Sequence, residues 1–156
     1  VKFNHYSFDD LLYSNFMSMM VENLSPVRHK KGTIIISELD EVLEVFFVCS
    51  GLYDIGFEIN KKKKFVIRYS DSTAIGGYNC TFNKRAIFCY RTKTLCEGYS
   101  VRKKNWKDLV DEKNYPNIAK TLRRNVENDY LKNIKVKVLQ CKKKHVAKYH
   151  GRHDYQ

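Results

Sequence analysis

One segment of the sequence combines residue types that suit the binding of a small anion. Two adjacent glycines, Gly76 and Gly77, follow a β-like run that ends at Ile75, and Arg85 comes shortly after them. Paired glycines let the backbone turn tightly and approach a ligand, and backbone N–H groups beside one guanidinium suit a single phosphate. We therefore predict a phosphate-binding cassette at residues 75–86. The alternative is a simple bend followed by a surface or salt-bridging arginine.

The other reactive side chains do not form a catalytic set. No serine or cysteine has a convincing paired base, and the histidines lie outside the predicted strands. Cys141 and His145 are four residues apart on one predicted helix face and could bind a metal ion with His150 and His153. A basic helix end explains these residues equally well. We predict no enzymatic activity, no metal site and no cofactor.

The charge of the chain indicates an acidic partner. Lys and Arg number 29 against 17 Asp and Glu, so the formal net charge is +12. Nucleic acid, anionic lipid and an acidic protein surface all fit such a charge. The aromatic residues are spread through predicted strands and do not alternate with basic residues as a stacking platform would, which argues against nucleic acid.

Composition also bears on the compartment. No apolar run approaches the ~20 residues of a membrane-spanning helix, and no signal peptide is visible. Four of the five cysteines lie in or beside apolar runs, which favours reduced thiols in the cytosol. The chain opens on Val1 and not on Met, so we expect a piece of a longer protein.

The first two thirds of the chain change from a helical to a strand-like hydrophobic period. Residues 1–31 are predicted to be an N-terminal helical segment, with a helix over 7–24 that is capped by Ser7 and ended by Pro26. Residues 32–102 contain short strands at roughly ten-residue spacing, separated by polar turns. This pattern predicts an eight-stranded antiparallel β-roll of jelly-roll type. Within it, Lys61 to Lys64 are predicted to be a hairpin tip.

The last third, residues 103–156, is predicted to be helical with a basic tail. A short helix is anchored by Trp106, and a long helix begins at Pro116, a residue suited to the first helical position. The long helix carries an apolar stripe whose spacing is almost entirely four residues, formed by Ile118, Leu122, Val126, Tyr130, Ile134, Val138, Cys141 and His145. The predicted fold class is therefore α+β.

A helix, a β-roll, a short helix and a long helix follow each other in cyclic-nucleotide-binding domains, and several motifs resemble that family over about residues 8–140. They are Lys31-Gly32-Thr33-Ile34-Ile35, Val45 to Gly51, Ile75-Gly76-Gly77 in place of the family's Phe-Gly-Glu, and Arg85-Ala86. The resemblance is most specific to the cytoplasmic C-terminal domains of ciliate voltage-gated potassium channels. It rests there on residues 38–41, 53–60, 79–85 and 102–106.

The resemblance implies a nucleotide site. Arg85 would pair with the cyclic phosphate, and backbone groups of Gly76, Tyr78 and Ala86 would contact it. The ribose acceptor is missing because Gly77 stands in the glutamate position, which costs about 1.5–3 kcal/mol, or roughly ten- to a hundred-fold in affinity.

Two further positions bear on the nucleotide itself. The side chain that caps the base would fall near Asp129 and Lys132, and we name Lys132 as the candidate. Ala86 lacks the hydroxyl that related domains use for guanine, so cAMP is favoured over cGMP.

Two functions follow from the resemblance. The first is a regulatory domain at the cytoplasmic face of a membrane, part of a tetrameric voltage-gated potassium channel, that binds cAMP weakly or not at all and couples to gating. The second is a ligand-free assembly module whose pocket is filled by Tyr78 or Phe82, as in the homology domains of ether-à-go-go channels. Its basic helix would contact anionic lipid or neighbouring subunits.

Overall fold

The computed structural model describes residues 10–150. Its first element is helix α1 (Leu11–Glu22), which confirms the predicted N-terminal helix from Leu11 onward. The N-cap is Asp10, whose carboxylate accepts hydrogen bonds from the amides of Leu12 and Tyr13 at 2.9 and 3.2 Å. These bonds satisfy two of the donors that a helix start leaves open. The predicted cap, Ser7, lies outside the described residues.

The prediction of a purely helical N-terminal segment was wrong, because strand β1 (Ser25–His29) follows α1. The strand pairs antiparallel with a strand near the end of the roll, with Ser25 opposite Ser100. Pro26, interpreted from the sequence as the end of the helix, lies inside this strand. Because β1 is an edge strand, a residue without an N–H donor is tolerated there.

Seven further strands complete the roll and confirm the predicted α+β class. They are β2 (Ile34–Ile36), β3 (Glu44–Ser50), β4 (Tyr53–Ile59), β5 (Lys62–Tyr69), β6 (Thr73–Ile75), β7 (Cys89–Thr92) and β8 (Cys96–Arg102). They form two four-stranded sheets, in the orders β1-β8-β3-β6 and β2-β7-β4-β5. Every pairing is antiparallel. The hydrophobic core lies between these sheets and the helices.

The predicted hairpin tip at Lys61 to Lys64 is corrected to a tighter turn. Asn60 and Lys61 both have left-handed backbone angles, with φ of 50° and 62°, which is the conformation of a two-residue hairpin turn. Lys62 is already paired with Ile59 in the β4–β5 ladder. The lysines after the turn therefore belong to a strand.

In the last third of the chain, the short helix and the first residue of the long helix lie where the sequence predicted them. Helix α3 (Lys103–Leu109) places Trp106 in the core at 2% exposure, and its indole nitrogen donates to Thr81 Oγ1 at 2.9 Å. Helix α4 (Pro116–Asn128) then begins at the predicted proline. A π-helical segment (Asp129–Lys135) and helix α5 (Val136–His150) continue it. Within residues 10–150 no helix is long and apolar enough to span a bilayer.

The four-residue spacing of the apolar stripe explains why the last helix contains a π-helical segment. An α-helix has 3.6 residues per turn, so a four-residue step overshoots by about 40° and a series of such steps winds around the helix. A π-helical turn, with bonds from residue i to i+5, contains more residues and brings the stripe back towards the roll. Leu122 before the segment, Tyr130 within it and Val138 after it are all buried.

Candidate functional site

The two cassette glycines have different structural roles. Gly76 caps helix α2 (Gly77–Phe82) in the left-handed region, with φ of 86°. A Cβ atom there would lie 2.7 Å from the carbonyl oxygen of Glu44 and 2.8 Å from a methyl carbon of Val42. Gly77 would accept a Cβ at an ordinary 3.6 Å from Val126. Position 76 thus requires glycine, whereas position 77 faces helix α4 and does not.

The interior of the cassette bonds to itself and to the roll. The buried side chain of Asn79 donates to the carbonyl oxygens of Lys84 and Arg85 at 3.1 and 3.2 Å. Cys80 Sγ is buried and lies 3.5 Å from the carbonyl oxygen of Val42. These contacts hold the segment after α2 as a closed loop.

Arg85 and Ala86 are attached to the loop that follows β2. Arg85 is exposed, and its guanidinium donates to the carbonyl oxygen of Leu39 at 3.0 Å. The amide of Leu39 donates to Ala86 O at 2.7 Å, and the amide of Ala86 donates to Asp40 O at 3.0 Å. The backbone donor of Ala86 is therefore already engaged within the protein.

Tyr78, on the cassette helix, stacks on Tyr130 of the π-helical segment. Their ring centroids are 4.1 Å apart and their planes differ by 7°. Tyr130 is only 7% exposed, and Phe88 lies 6.3 Å from its ring centre. Offset aromatic pairs at such distances add stability beyond the area they bury. The cassette and the last helix are thus closed on each other by side chains of the chain itself.

A second group of stacked tyrosines lies inside the roll. Tyr53 is stacked with Tyr69 and with Tyr90, at 5.9 and 6.5 Å between ring centres. Tyr69 also donates its hydroxyl to the backbone carbonyl of Asn133 in the π-helical segment at 3.1 Å. We call the whole set the aromatic column, which consists of Tyr53, Tyr69, Tyr78, Phe88, Tyr90 and Tyr130.

The buried tyrosines Tyr53, Tyr90 and Tyr130 of the aromatic column are uncharged at physiological pH. Burial raises the pKa of Tyr53 to about 12 and raises the pKa values of Tyr90 and Tyr130 well above the usual tyrosine value, with neighbouring tyrosines adding to the effect. Desolvation disfavours the charged phenolate. These three side chains therefore offer rings and protonated hydroxyl groups, and no cation for a phosphate.

Neither a protein-family model nor a curated protein matches the sequence. Solved structures do match. The regulatory domain of PKA from Toxoplasma gondii, crystallised with cAMP, gives a TM-score of 0.62 at 16% identity over 83% of this chain and 45% of that one. The regulatory subunit of a cAMP-independent protein kinase A from Trypanosoma cruzi, bound to guanosine, gives a TM-score of 0.62 at 13% identity over 77% of this chain and 40% of that one.

A third match is the C-linker/CNBHD of zELK channels, crystallised in the presence of cAMP. Its TM-score is 0.62 at 16% identity, over 80% of this chain and 65% of that one. This chain has the fold of a cyclic-nucleotide-binding domain. The chain spans less than half the length of either kinase structure.

In this cyclic-nucleotide-binding fold, the last helix meets the cassette through a residue that the sequence analysis did not choose. Asp129 and Lys132 are exposed on the π-helical segment, whereas Tyr130 between them is buried against Tyr78. Because a base-capping residue was expected to be polar, Tyr130 was assigned only to the apolar stripe. The sequence signal for its role was its position in the apolar stripe, on the helix that covers the roll.

The residues weighed for a metal site do not converge within the described part of the chain. Residues 10–150 contain no group of three or more histidine, cysteine or acidic side chains that could hold an ion, and His153 lies outside them. The ring of His145 instead packs near Phe57 and Tyr149, at 6.1 and 5.1 Å between ring centres. Desolvation and the nearby Lys64 and Lys148 lower its pKa.

Proposed function

We propose that this chain is a regulatory domain of the cyclic-nucleotide-binding type whose pocket is filled by its own aromatic side chains. The observation that carries the proposal is the parallel stack of Tyr78 on Tyr130, which joins the cassette to the last helix at 4.1 Å. A purine ring that entered between these elements would have to separate the two tyrosines. The domain therefore works in its closed form without nucleotide.

The phosphate side of the cassette supports the same conclusion. Arg85 is bonded to the Leu39 carbonyl and the Ala86 amide to the Asp40 carbonyl, so a phosphate would compete with internal partners. Gly77 supplies no carboxylate for a ribose hydroxyl. Loss of a charged hydrogen bond weakens binding by about 1.5–3 kcal/mol. We expect cAMP to bind only at millimolar concentration, and cGMP more weakly still because Ala86 carries no hydroxyl.

The proposed context is a tetrameric voltage-gated potassium channel, with this domain on the cytoplasmic face of the membrane. The similarity to the channel domain of zELK and the motif resemblance to ciliate channels support it. In that context the closed domain would transmit force between subunits and the pore. Recordings from the full-length protein test this idea, and a voltage-dependent potassium current that is insensitive to cAMP is the expected result.

A nucleotide-regulated domain is the second candidate, and the exposure of Arg85 favours it. This side chain is held by one described hydrogen bond and could turn towards a phosphate if Tyr78 moved. Ligand binding would then shift the protein between two states by its differential affinity for them.

Calorimetric titration distinguishes the two candidates. The wild type, Arg85→Ala and Tyr78→Ala are titrated with cAMP and cGMP, and Lys84→Ala is the control for an exposed cation in the same loop. At micromolar nucleotide we expect no heat of binding and no shift of the thermal midpoint for the wild type, and weak binding of cAMP to Tyr78→Ala. Micromolar binding to the wild type that Arg85→Ala abolishes and Lys84→Ala preserves would show that the pocket is functional.

A further inference from the structure

Two lysine-rich segments that are far apart in the sequence meet on one side of the roll. Strand β5 begins with three lysines, Lys62 to Lys64. Helix α5, which contains five more, packs against strands β4 and β5. The fold therefore brings together positive charge that the sequence keeps apart.

The meeting point is the ring of Phe57 in strand β4, which is fully buried. Lys64 is its direct cross-strand partner on β5, so the two side chains lie on the same face of the sheet. On helix α5 the Lys142 ammonium lies 5.7 Å from the centre of the Phe57 ring, and the ring centre of His145 lies 6.1 Å from it. Basic groups from two elements are thus gathered around one side chain.

Two further lysines extend this group. Lys62 is two residues before Lys64 in the strand and pairs with Ile59, so it lies on the same face. Lys148 is three residues after His145, on the same side of α5. We call the set the hairpin–helix patch, which consists of Lys62, Lys64, Lys142, His145 and Lys148.

No carboxylate of β5 or α5 balances the hairpin–helix patch, because neither element contains Asp or Glu. Glu58, in the neighbouring strand β4, pairs with Lys63, which alternation places on the opposite face of the sheet. None of the salt bridges among residues 10–150 includes a lysine of the patch. These like charges repel one another, and a bound anion would relieve the repulsion.

His145 responds to this concentration of positive charge. Desolvation and repulsion from Lys64 and Lys148 lower its pKa, so its ring is neutral at physiological pH. The rings packed beside it, Phe57 and Tyr149, add no carboxylate. A bound anion would favour the protonated ring, which then has a second N–H to donate.

The arrangement of the hairpin–helix patch indicates a compact anion. Its cations come from a strand end and from a helix that packs against it, so they are gathered around one point. A nucleic acid distributes its phosphates along a line and would engage only part of such a group. Two neighbouring phosphate monoesters carry about −1.5 to −2 each at pH 7, which matches the four lysines, whereas a carboxylate carries a single charge.

We propose that the hairpin–helix patch binds a small anion with two or more neighbouring phosphate monoesters, of the kind present in inositol phosphates, either free or as the headgroup of a lipid. The phosphates bridge the lysines of β5 to those of α5 and hold the end of the last helix on the roll. This site is separate from the cassette, so binding there does not depend on whether a nucleotide enters the pocket.

The probe is inositol hexakisphosphate, titrated into the chain by calorimetry in about 0.15 M salt, where charges more than about 8 Å apart are largely screened. We expect the wild type to bind it and Lys64→Gln/Lys148→Gln to bind at least roughly tenfold more weakly. Lys113→Gln/Lys120→Gln removes the same charge at exposed lysines outside β5 and α5 and should retain the affinity. Circular dichroism checks that each variant is folded.

A second measurement locates the bound anion. The pKa of His145 is measured by NMR with and without saturating hexakisphosphate, and we expect it to rise by roughly one unit or more when the anion is bound. The ring signals of His29 are the control, because this residue lies in strand β1 of the other sheet. They should not change on binding.

Vesicles identify the source of the phosphates. Vesicles of phosphatidylcholine with a minor part of phosphatidylinositol bisphosphate are compared with vesicles of phosphatidylcholine and phosphatidylserine of the same total charge. Binding to the first kind alone, displaced by hexakisphosphate, assigns the patch to a lipid headgroup. Binding of free hexakisphosphate without vesicle binding assigns it to a soluble ligand.

Three results would overturn the proposal. The first is failure of hexakisphosphate to bind, or equal binding by the wild type and Lys64→Gln/Lys148→Gln. The second is a pKa of His145 that stays the same at saturation. The third is tighter, patch-dependent binding to duplex RNA or to a polyglutamate peptide than to hexakisphosphate.

Discussion

The two halves of the last helix differ in what they contact. Helix α4 and the π-helical segment are packed against the cassette, with Gly77 facing Val126 and Tyr78 stacked on Tyr130. Helix α5 contacts the roll on one side and leaves Val136 and Val146 exposed on the other. Helix α4 and the π-helical segment are therefore covered by the cassette, while α5 keeps exposed side chains on one side.

The largest expected difference is between two tyrosines of this last helix. Tyr130→Ala removes a ring that is 7% exposed, whereas Tyr149→Ala removes one that is 55% exposed. Truncating a buried aromatic residue costs about 3–5 kcal/mol, and an exposed substitution usually changes stability by less than about 0.5 kcal/mol. Denaturant unfolding followed by circular dichroism measures both. Equal losses would mean that the cassette is not closed by Tyr130.

A smaller difference is expected between the cassette glycines. Gly76→Ala introduces a side chain at a left-handed position and against Glu44 and Val42, so we expect a loss of about 2 kcal/mol or more. Gly77→Ala fits in the first turn of α2 and should be neutral or stabilise by up to about 1 kcal/mol. The thermal midpoints of the two variants give the comparison. A strong loss for Gly77→Ala would show that position 77 needs its glycine.

A further expected effect, confined to alkaline pH, is a fall in stability. Burial raises the pKa of Cys80 from 9.0 to about 11 and that of Tyr53 from 10.0 to about 12. The unfolded chain ionises first, so the stabilisation is complete below pH 9 and decreases as the pH rises towards 12. Cys80→Ala should flatten the first part of this decline in unfolding experiments. Cys49→Ala, at an exposed thiol, is the control and should leave it unchanged.

Much of the architecture could be predicted because it depends on local patterns. The sequence shows the alternation of the strands, a proline suited to a helix start at Pro116 and a large apolar anchor at Trp106. The structure has strands, a helix start and a buried tryptophan at these positions. Strand β1 was missed because Pro26 suggested the end of a helix. A proline is acceptable in this strand because β1 lies at the edge of its sheet.

The contacts of the candidate site were harder to predict because they join distant segments. The partner of Arg85 is a backbone carbonyl in a loop 46 residues away in sequence, and no side-chain pattern encodes it. The stack of Tyr78 on Tyr130 depends on how the last helix is wound. Tyr78 was singled out from the sequence as a residue that could fill the pocket, whereas its stacking partner Tyr130 was not.

The π-helical segment also sets which side of α5 faces the roll. Each residue inserted into or deleted from a helix turns everything after it by about 100° and shifts it by about 1.5 Å. A one-residue deletion between Asp129 and Lys135 would therefore rotate Val146 from the outside towards the flank of the roll, while the residues before the deletion kept their places. A chain that lacked this one residue would present a different surface with nearly the same sequence.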